Sequence, residues 1–153
     1  MQQETRFFSC PQCRNLVTLG KGSEVRISCC GEPAVELIAH APDASGATHL
    51  PQITFTGGYT ANAARISIGT PLHPMSEEHH LEWIYLQTVQ GGQFKYLKAG
   101  DEPVVSFALT DKDGYAYCDR QICLMGTQCK FKCKQGFTAY ACCNLHGLWK
   151  MQT

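Results

Sequence analysis

Four cysteines near the start of the chain have the residue types and the spacing of a metal site. They are Cys10, Cys13, Cys29 and Cys30, the first pair in a Cys-Pro-Gln-Cys knuckle and the second in a Cys-Cys-Gly turn. Four thiolates brought together by a tight turn and a returning strand match tetrahedral S4 coordination of iron or zinc. Adjacent cysteines are unusual for a zinc ribbon, and turning both toward one metal would distort the tetrahedron. The spacing predicts a metal site and leaves iron or zinc open.

A second group of candidate ligands combines histidines with one cysteine. Its members are His49, His73, His79, Cys143 and His146. Imidazole suits iron, copper, zinc or nickel, and a single thiolate adds a soft, electron-rich donor. Cys143 and His146 are three positions apart around a turn that ends in Gly147, so both can reach one metal. His73 and His79 flank a loop that can present both rings to the same point. These five residues predict a second metal centre.

The elements that must position these groups are strands. Apolar residues alternate with small or polar ones, as in half-buried strands, at Ile53 and Phe55, at Ile66 and Ile68, and at Val105, Phe107 and Leu109. Gly57-Gly58 and Gly91-Gly92 are typical of hairpin turns between such runs. Only Ser76 to His80 suggests a helical turn. The pattern predicts an all-β protein.

The residues from His40 to Ala47 are typical of a linker, because they include proline, aspartate, serine and glycine. We therefore expect a small cysteine-bearing β domain at 1–38 and a β-sandwich of about seven short strands at 39–153. The first domain is too small to be stable on its apolar core alone, so a metal staple fits it.

Composition excludes several classes of function. The 153 residues contain 13 lysines and arginines against 13 aspartates and glutamates, without the basic excess of a nucleic-acid binder. No apolar run approaches the roughly 20 residues of a membrane span, and Met1 to Phe8 lacks the profile of a secretory signal. Ten cysteines in such a chain indicate metal or redox chemistry before structural disulfides. We expect a soluble, cytoplasmic metalloprotein that binds neither nucleic acid nor membrane.

Beyond these patterns, whole motifs resemble those of one family. They are Cys10-Pro11-Gln12-Cys13 with Cys29-Cys30-Gly31-Glu32-Pro33, His73-Pro74-Met75 with His79, Glu82-Trp83-Ile84, and Cys143-Asn144-Leu145-His146-Gly147-Leu148-Trp149-Lys150. In these motifs the chain resembles the desulfoferrodoxins, the two-iron superoxide reductases whose smaller relatives are the neelaredoxins. The resemblance covers nearly the whole chain except an insertion at about 114–135.

The resemblance implies a desulforedoxin-like (rubredoxin-type) Fe(Cys)4 domain followed by an immunoglobulin-like sandwich that carries the catalytic iron. By motif position, the equatorial ligands of that iron would be His49, His73, His79 and His146. Cys143 would be the axial thiolate, with the sixth position open to solvent. Family members reduce superoxide to hydrogen peroxide with electrons from rubredoxin or a similar donor, and they are commonly homodimers.

The chain departs from the family pattern just before the first histidine. Ala47 and Thr48 stand where the family usually has Glu-Lys, whose lysine is thought to steer superoxide to the iron. Steering fields change association rates by about 10-fold or more. One hypothesis is that Lys130, Lys132 and Lys134 in the insertion replace the missing charge; the alternative is a solvated basic loop. Neutralising all three lysines would then slow the reaction and flatten its salt dependence, whereas unchanged kinetics would rule the hypothesis out.

The insertion also carries four cysteines, which are Cys118, Cys123, Cys129 and Cys133. Their C-x4-C-x5-C-x3-C spacing matches no established zinc or iron–sulfur pattern, so a third metal site, reversible disulfides and inert thiols all stay open. Cys142 precedes a candidate ligand and is expected to point away from it, because adjacent strand residues face opposite sides. His80 is expected to face away from the site or to line its rim, and Trp149 to be a core anchor.

Two functions of different classes follow. The first is an enzyme, superoxide reductase, in which the five-ligand centre carries the reaction. The alternative is a non-catalytic electron carrier or redox sensor, in which the four-cysteine site and the inserted cysteines are the working parts. Stoichiometric conversion of superoxide to hydrogen peroxide by the reduced protein would separate them.

Overall fold

A computed structural model describes residues 4–22, 24–42, 46–56, 63–114 and 136–153. The four inserted cysteines, the three inserted lysines and the Gly57-Gly58 turn predicted above lie outside these residues. The chain divides into two compact units, Met1–Ala39 and His40–Thr153, called unit 1 and unit 2 below.

Unit 1 is built from five short strands. These are β1 (Arg6–Ser9), β2 (Leu16–Leu19), β3 (Ser28–Cys29), β4 (Glu32–Pro33) and β5 (Val35–Leu37). Three of them form an antiparallel sheet in the order β2-β1-β5, and β3 pairs with β4 in a separate two-stranded ladder. Phe7, Phe8 and Cys10 are buried. Because its apolar core is so small, unit 1 needs a further source of stability, such as a bound metal ion.

Unit 2 is a sandwich of two antiparallel sheets. Its elements are β6 (Pro51–Thr56), β7 (Ala63–Ile68), β8 (Leu81–Gln87), β9 (Gly92–Tyr96), β10 (Val104–Ala108), α1 (Asp111–Gly114), β11 (Thr138–Cys143) and β12 (Gly147–Gln152). One sheet has the order β10-β7-β6 and the other the order β12-β11-β8-β9. This architecture confirms the predicted all-β fold.

The core of unit 2 lies between the two sheets. On β7, Ala64, Ile66 and Ile68 are fully buried while the residues between them are not, as the alternating pattern predicted. The central strands β8 and β11 are buried along almost their whole length, so they are apolar nearly throughout instead of alternating. These two paired strands lead directly into the loops that carry candidate ligands.

The helical turn predicted at Ser76 to His80 is wrong. Ser76 donates its backbone N–H to the His79 carbonyl at 2.9 Å, and the N–H of His79 is taken by the Ser76 hydroxyl at 3.1 Å. The N–H of His80 goes to the side chain of Asn144 at 2.9 Å. Because side chains accept from the N–H groups of His79 and His80, the segment forms a capped loop and not a helical turn. Within the described ranges, no helix has the length and apolarity that crossing a membrane requires.

Candidate metal centres

The four cysteines of unit 1 converge on one point. Their Sγ atoms all lie within 4.8 Å of one another. Two separations are 3.6 Å, between Cys13 and Cys29, and 3.9 Å, between Cys29 and Cys30. At a metal–sulfur bond length of about 2.3 Å, two corners of a regular tetrahedron lie about 3.8 Å apart. The thiols are therefore spaced to fit one tetrahedral ion.

A tight hairpin turn allows adjacent cysteines to share that ion. Cys29 pairs with Glu32 at the end of the β3–β4 ladder, which leaves Cys30 and Gly31 as a two-residue connection. Both have positive φ, 54° and 78°, as the type I′ hairpin turn requires. The turn redirects the chain at Cys30, directly after Cys29, which is the last residue of β3. The distortion expected of neighbouring ligands is relieved in the backbone.

The thiols of unit 1 differ in their ease of ionisation. Backbone N–H groups, that of Cys13 foremost, lower the pKa of Cys10 to about 6. Hydrogen bonds with the neighbouring cysteine side chains, Cys13 foremost, raise the pKa of Cys30 to about 12. A bound metal requires every ligand as thiolate and releases the remaining protons. One further polar group reaches the cluster, because Asn15 Nδ2 donates to Cys29 Sγ at 3.7 Å.

The second cluster is assembled from loops at one end of the unit 2 sandwich. His49 lies in the turn before β6, and His73 and His79 lie in the connection from β7 to β8. Cys143 ends β11, and His146 lies in the turn to β12. Ligand atoms of His49, His73, His79 and Cys143 all lie within 4.8 Å of one another. His146 joins them, since its Nδ1 lies 3.6 Å from Cys143 Sγ.

The centroids of the four imidazole rings form a four-cornered figure with nearly equal sides, called the square below. Ring centroids are 4.8 Å apart for His49 and His73, 4.7 Å for His73 and His79, and 4.8 Å for both His79 with His146 and His146 with His49. Across the square, His49 and His79 are 5.9 Å apart. Neighbouring rings are nearly perpendicular, at 72° to 76°, whereas the opposite pair is inclined by 32°.

The nitrogen separations fit a single metal at the centre of this square. His146 Nδ1 lies 3.0 Å from His49 Nε2 and 3.2 Å from His79 Nε2. At a metal–nitrogen bond length of about 2.1 Å, two nitrogens at right angles about the metal lie about 3.0 Å apart. His146 therefore presents Nδ1, while His49 and His79 present Nε2.

His73 gives independent evidence that this cluster fits a cation. Its Nδ1 lies 2.6 Å from the Pro74 carbonyl, which fixes the ring proton on that nitrogen. Its Nε2 is buried and has no hydrogen-bond partner. Buried polar atoms nearly always have a partner. A metal ion held by these residues would satisfy this atom.

Desolvation favours the neutral form of three of the rings, those of His49, His73 and His79. The pKa of His49 is lowered to about 4, first by desolvation and then by repulsion from the other histidines. Desolvation is also the main cause of the lowered pKa of His73 and of His79. A neutral imidazole has a free lone pair, so the site is ready to coordinate a cation at neutral pH.

Asn144 holds two ligand-bearing loops together, a role that motif spacing alone did not indicate. Its side chain accepts the His80 N–H at 2.9 Å and donates to the Glu78 carbonyl at 3.0 Å. Its own N–H donates to the His80 carbonyl at 3.0 Å. The connection carrying His79 is thereby fixed against the turn carrying His146.

Other residues singled out in the sequence lie outside the cluster. His80 is half-buried and its Nδ1 lies 3.1 Å from the Ser76 carbonyl. Cys142 is buried and is not among the clustered ligand atoms. Trp149 is buried as expected, but its ring also stacks on His49, with centroids 5.0 Å apart and an angle of 22°. That contact makes Trp149 part of the surroundings of the site.

The desulfoferrodoxin family model matches residues 41–152. The chain is 28% identical to desulfoferrodoxin of Nitratidesulfovibrio vulgaris over 152 residues, 99% of each. It is 31% identical to superoxide reductase of Pyrococcus abyssi over 110 residues, 71% of this chain and 87% of the relative. The superoxide reductase structure from Treponema pallidum is similar over 99% of this chain and 100% of its own, with a TM-score of 0.69 and 25% identity.

The chain belongs to the desulfoferrodoxin family, which confirms the resemblance seen in its motifs. The family binds iron, and both clusters of the described residues have donors that fit it. Iron, one of the two metals left open by the cysteine spacing, is therefore the metal of this protein.

Proposed function

We propose that this protein is a superoxide reductase, which adds one electron and two protons to superoxide and releases hydrogen peroxide. The observation that carries the proposal is the square of four imidazoles beside one thiolate, in a chain similar to proteins named superoxide reductase. The residues that would hold the iron are His49, His73, His79 and His146 of the square, together with Cys143. Iron bound there would supply the single electron.

The charge and exposure of the site suit an anionic substrate. Four neutral imidazoles and one thiolate carry a single negative charge, so a ferrous ion leaves the site with one positive charge that attracts superoxide. His49 and His73 are buried, whereas His146 and the neighbouring Leu145 are exposed. Superoxide and protons would reach the site from the exposed side.

The four cysteines of unit 1 would hold a second iron, Cys10 and Cys13 from the knuckle and Cys29 and Cys30 from the hairpin. Its donor spacing supports a one-electron Fe(Cys)4 centre at 1–38, with the reductase domain at 39–153. A rubredoxin-like electron donor, a homodimeric state and a cytoplasmic location stay predictions. So does the steering role of Lys130, Lys132 and Lys134, which lie outside the described residues.

The first experiment is metal analysis together with a superoxide assay. Two irons per chain, with a thiolate-to-iron absorption band from each centre, are expected, and the reduced protein should convert superoxide to hydrogen peroxide stoichiometrically. Cys143→Ser should lose the thiolate band of the histidine centre and most of the activity, while the Fe(Cys)4 band is retained. A protein that cycles between redox states without consuming superoxide would instead be the electron carrier or sensor.

A third metal equivalent would assign the inserted cysteines Cys118, Cys123, Cys129 and Cys133 as ligands. Two equivalents would leave disulfides or inert thiols there, which thiol titration under reducing and oxidising conditions separates.

A further inference from the structure

We propose that Thr48 and Trp149 are positioning residues that together fix the ring of His49 with Nε2 turned toward the other three imidazoles. The inference rests on the proposed role of His49 as an iron ligand and concerns residues to which the family pattern assigns no such task. Thr48 stands where the family usually has lysine, so this chain has a neutral hydroxyl beside its first ligand.

His49 needs positioning because its backbone lies outside the sandwich strands. It is in the turn before β6, where its N–H donates to the Gly46 carbonyl at 2.8 Å. A turn of this kind fixes the Cα but leaves the ring free to rotate about its side-chain bonds. Contacts of the ring itself must therefore set its direction.

The hydroxyl of Thr48 lies beside Nδ1 of the His49 ring and can accept the proton of that nitrogen. Thr48 Oγ1 lies 3.1 Å from His49 Nδ1, while His49 Nε2 lies 3.0 Å from His146 Nδ1. A neutral imidazole carries one proton, which can reside on either nitrogen. If Nδ1–H donates to the hydroxyl, Nε2 keeps its lone pair for the metal. In His73 the proton is likewise on Nδ1, where the Pro74 carbonyl, which can only accept, lies 2.6 Å away.

The indole of Trp149 sets the plane of the ring. It stacks on His49 at 22°, the most nearly parallel contact that this imidazole makes with another ring among the described residues. Trp149 is itself held by backbone pairing with His40, because His40 N–H donates to the Leu148 carbonyl at 2.8 Å and Lys150 N–H donates to the His40 carbonyl at 3.2 Å.

Gly46 leaves the space that this stack occupies. A Cβ at position 46 would lie 2.2 Å from Cζ3 of Trp149 and 2.9 Å from its Cη2. A side chain there would have to displace the indole, which cannot yield easily because it is buried. The same short turn thus places the Thr48 hydroxyl beside Nδ1 of His49. Through Gly46 it also leaves space for the Trp149 indole against the face of the His49 ring.

The test of Thr48 uses iron-loaded protein with Thr48→Val and Thr48→Ser. Valine keeps the branched shape and removes the hydroxyl, and serine restores it. Groups that orient a metal-bound histidine contribute about 10-fold to 100-fold in metal affinity. We expect Thr48→Val to release iron from the histidine site to a chelator at about 10-fold lower chelator concentration, and Thr48→Ser to behave like the parent. The role of Thr48 would be overturned if both variants bind iron as the parent does and the midpoint potential of the histidine site is unchanged.

The test of Trp149 uses Gly46→Ala, with Trp149→Phe as a second variant that keeps an aromatic face. We expect Gly46→Ala to shift the indole fluorescence of the metal-free protein and to weaken iron retention in the histidine site. Trp149→Phe should retain more iron than Gly46→Ala. Iron retention equal to the parent in Gly46→Ala, with or without a change in fluorescence, would overturn the role of Trp149.

The Fe(Cys)4 band serves as an internal reference in every variant, since its ligands are in unit 1. Loss of iron from Thr48→Val in a parent protein that does not consume superoxide would leave the positioning role intact and remove the proposed function. If the parent reduces superoxide and Thr48→Val retains all of its iron, the proposed function stands and the positioning role of Thr48 is wrong.

Discussion

At the scale of single residues, Asn15 gives a specific prediction for the cysteine centre. Its side-chain N–H points at Cys29 Sγ, and such a bond stabilises the more negative, reduced state of an iron–thiolate centre. Asn15→Leu should therefore lower the midpoint potential of this centre. The decrease should be on the order of tens of millivolts. Potentiometric titration followed at the Fe(Cys)4 band measures the shift.

Gln12→Leu is the matched control, because it removes an exposed side-chain amide from the same knuckle. It should leave the potential at the parent value. An equal decrease in both variants would mean that local polarity, not the bond to Cys29, sets the potential.

The members of the histidine cluster could be predicted from the sequence, whereas their geometry could not. Cys143 and His146 are close in sequence and lie in a recognisable motif, so their types and spacing make them candidate ligands. The choice of Nδ1 on His146 against Nε2 on His49 depends on where two rings 97 positions apart meet. Contacts such as Thr48 with His49 likewise require side-chain directions that spacing does not encode.

At the scale of elements, two glycines with the same backbone conformation are expected to differ in importance. Gly69 and Gly100 both have a φ of 87°. A Cβ on Gly69 would lie 2.3 Å from the Thr48 carbonyl oxygen and 2.7 Å from that of Pro71, whereas a Cβ on Gly100 meets nothing within 4 Å. Gly100→Ala should cost about 1 kcal/mol of unfolding free energy from backbone strain alone. Gly69→Ala should cost about 3 kcal/mol or more because steric overlap adds to the strain.

Chemical denaturation of the iron-loaded variants measures both costs. Gly69→Ala should also weaken iron binding in the histidine site, since the displaced carbonyl belongs to the residue before His49. Equal destabilisation of the two variants would contradict the assigned backbone contact.

Strand patterns predicted the sheets well where one face is buried, as on β7. They were less informative for β8 and β11, which are buried nearly throughout, and for the capped loop at Ser76 to His80. In that loop, the N–H groups of His79 and His80 donate to the side chains of Ser76 and Asn144, and these bonds override a local preference for helix. A partner 64 positions away in sequence, as Asn144 is from His80, leaves no local signal.

At the scale of the whole molecule, the two metal centres should be separable. Cys30→Ser removes one thiolate from unit 1 and should reduce the iron content from two per chain to one. The thiolate band of the histidine centre should remain, because all five residues proposed to hold that iron lie in unit 2. Unit 1, which has only a small apolar core, should then lose protection of its amides against hydrogen exchange.

Iron analysis, the visible spectrum and hydrogen exchange of Cys30→Ser measure these effects, with Cys13→Ser as a second variant of the same centre. Loss of both bands in either variant would show that the centres depend on each other for assembly.

The distances in sequence between ligands also fix an order of events during synthesis. Cys13 and Cys29 are 16 positions apart, but His49 and His146 are 97 apart. Closing a long loop costs more entropy than closing a short one, and contacts between distant residues form more slowly. The cysteine knuckle and hairpin can capture their ion while most of the chain is still on the ribosome. The square of imidazoles exists only after the last turn has joined the sandwich, so its ion reports a finished fold.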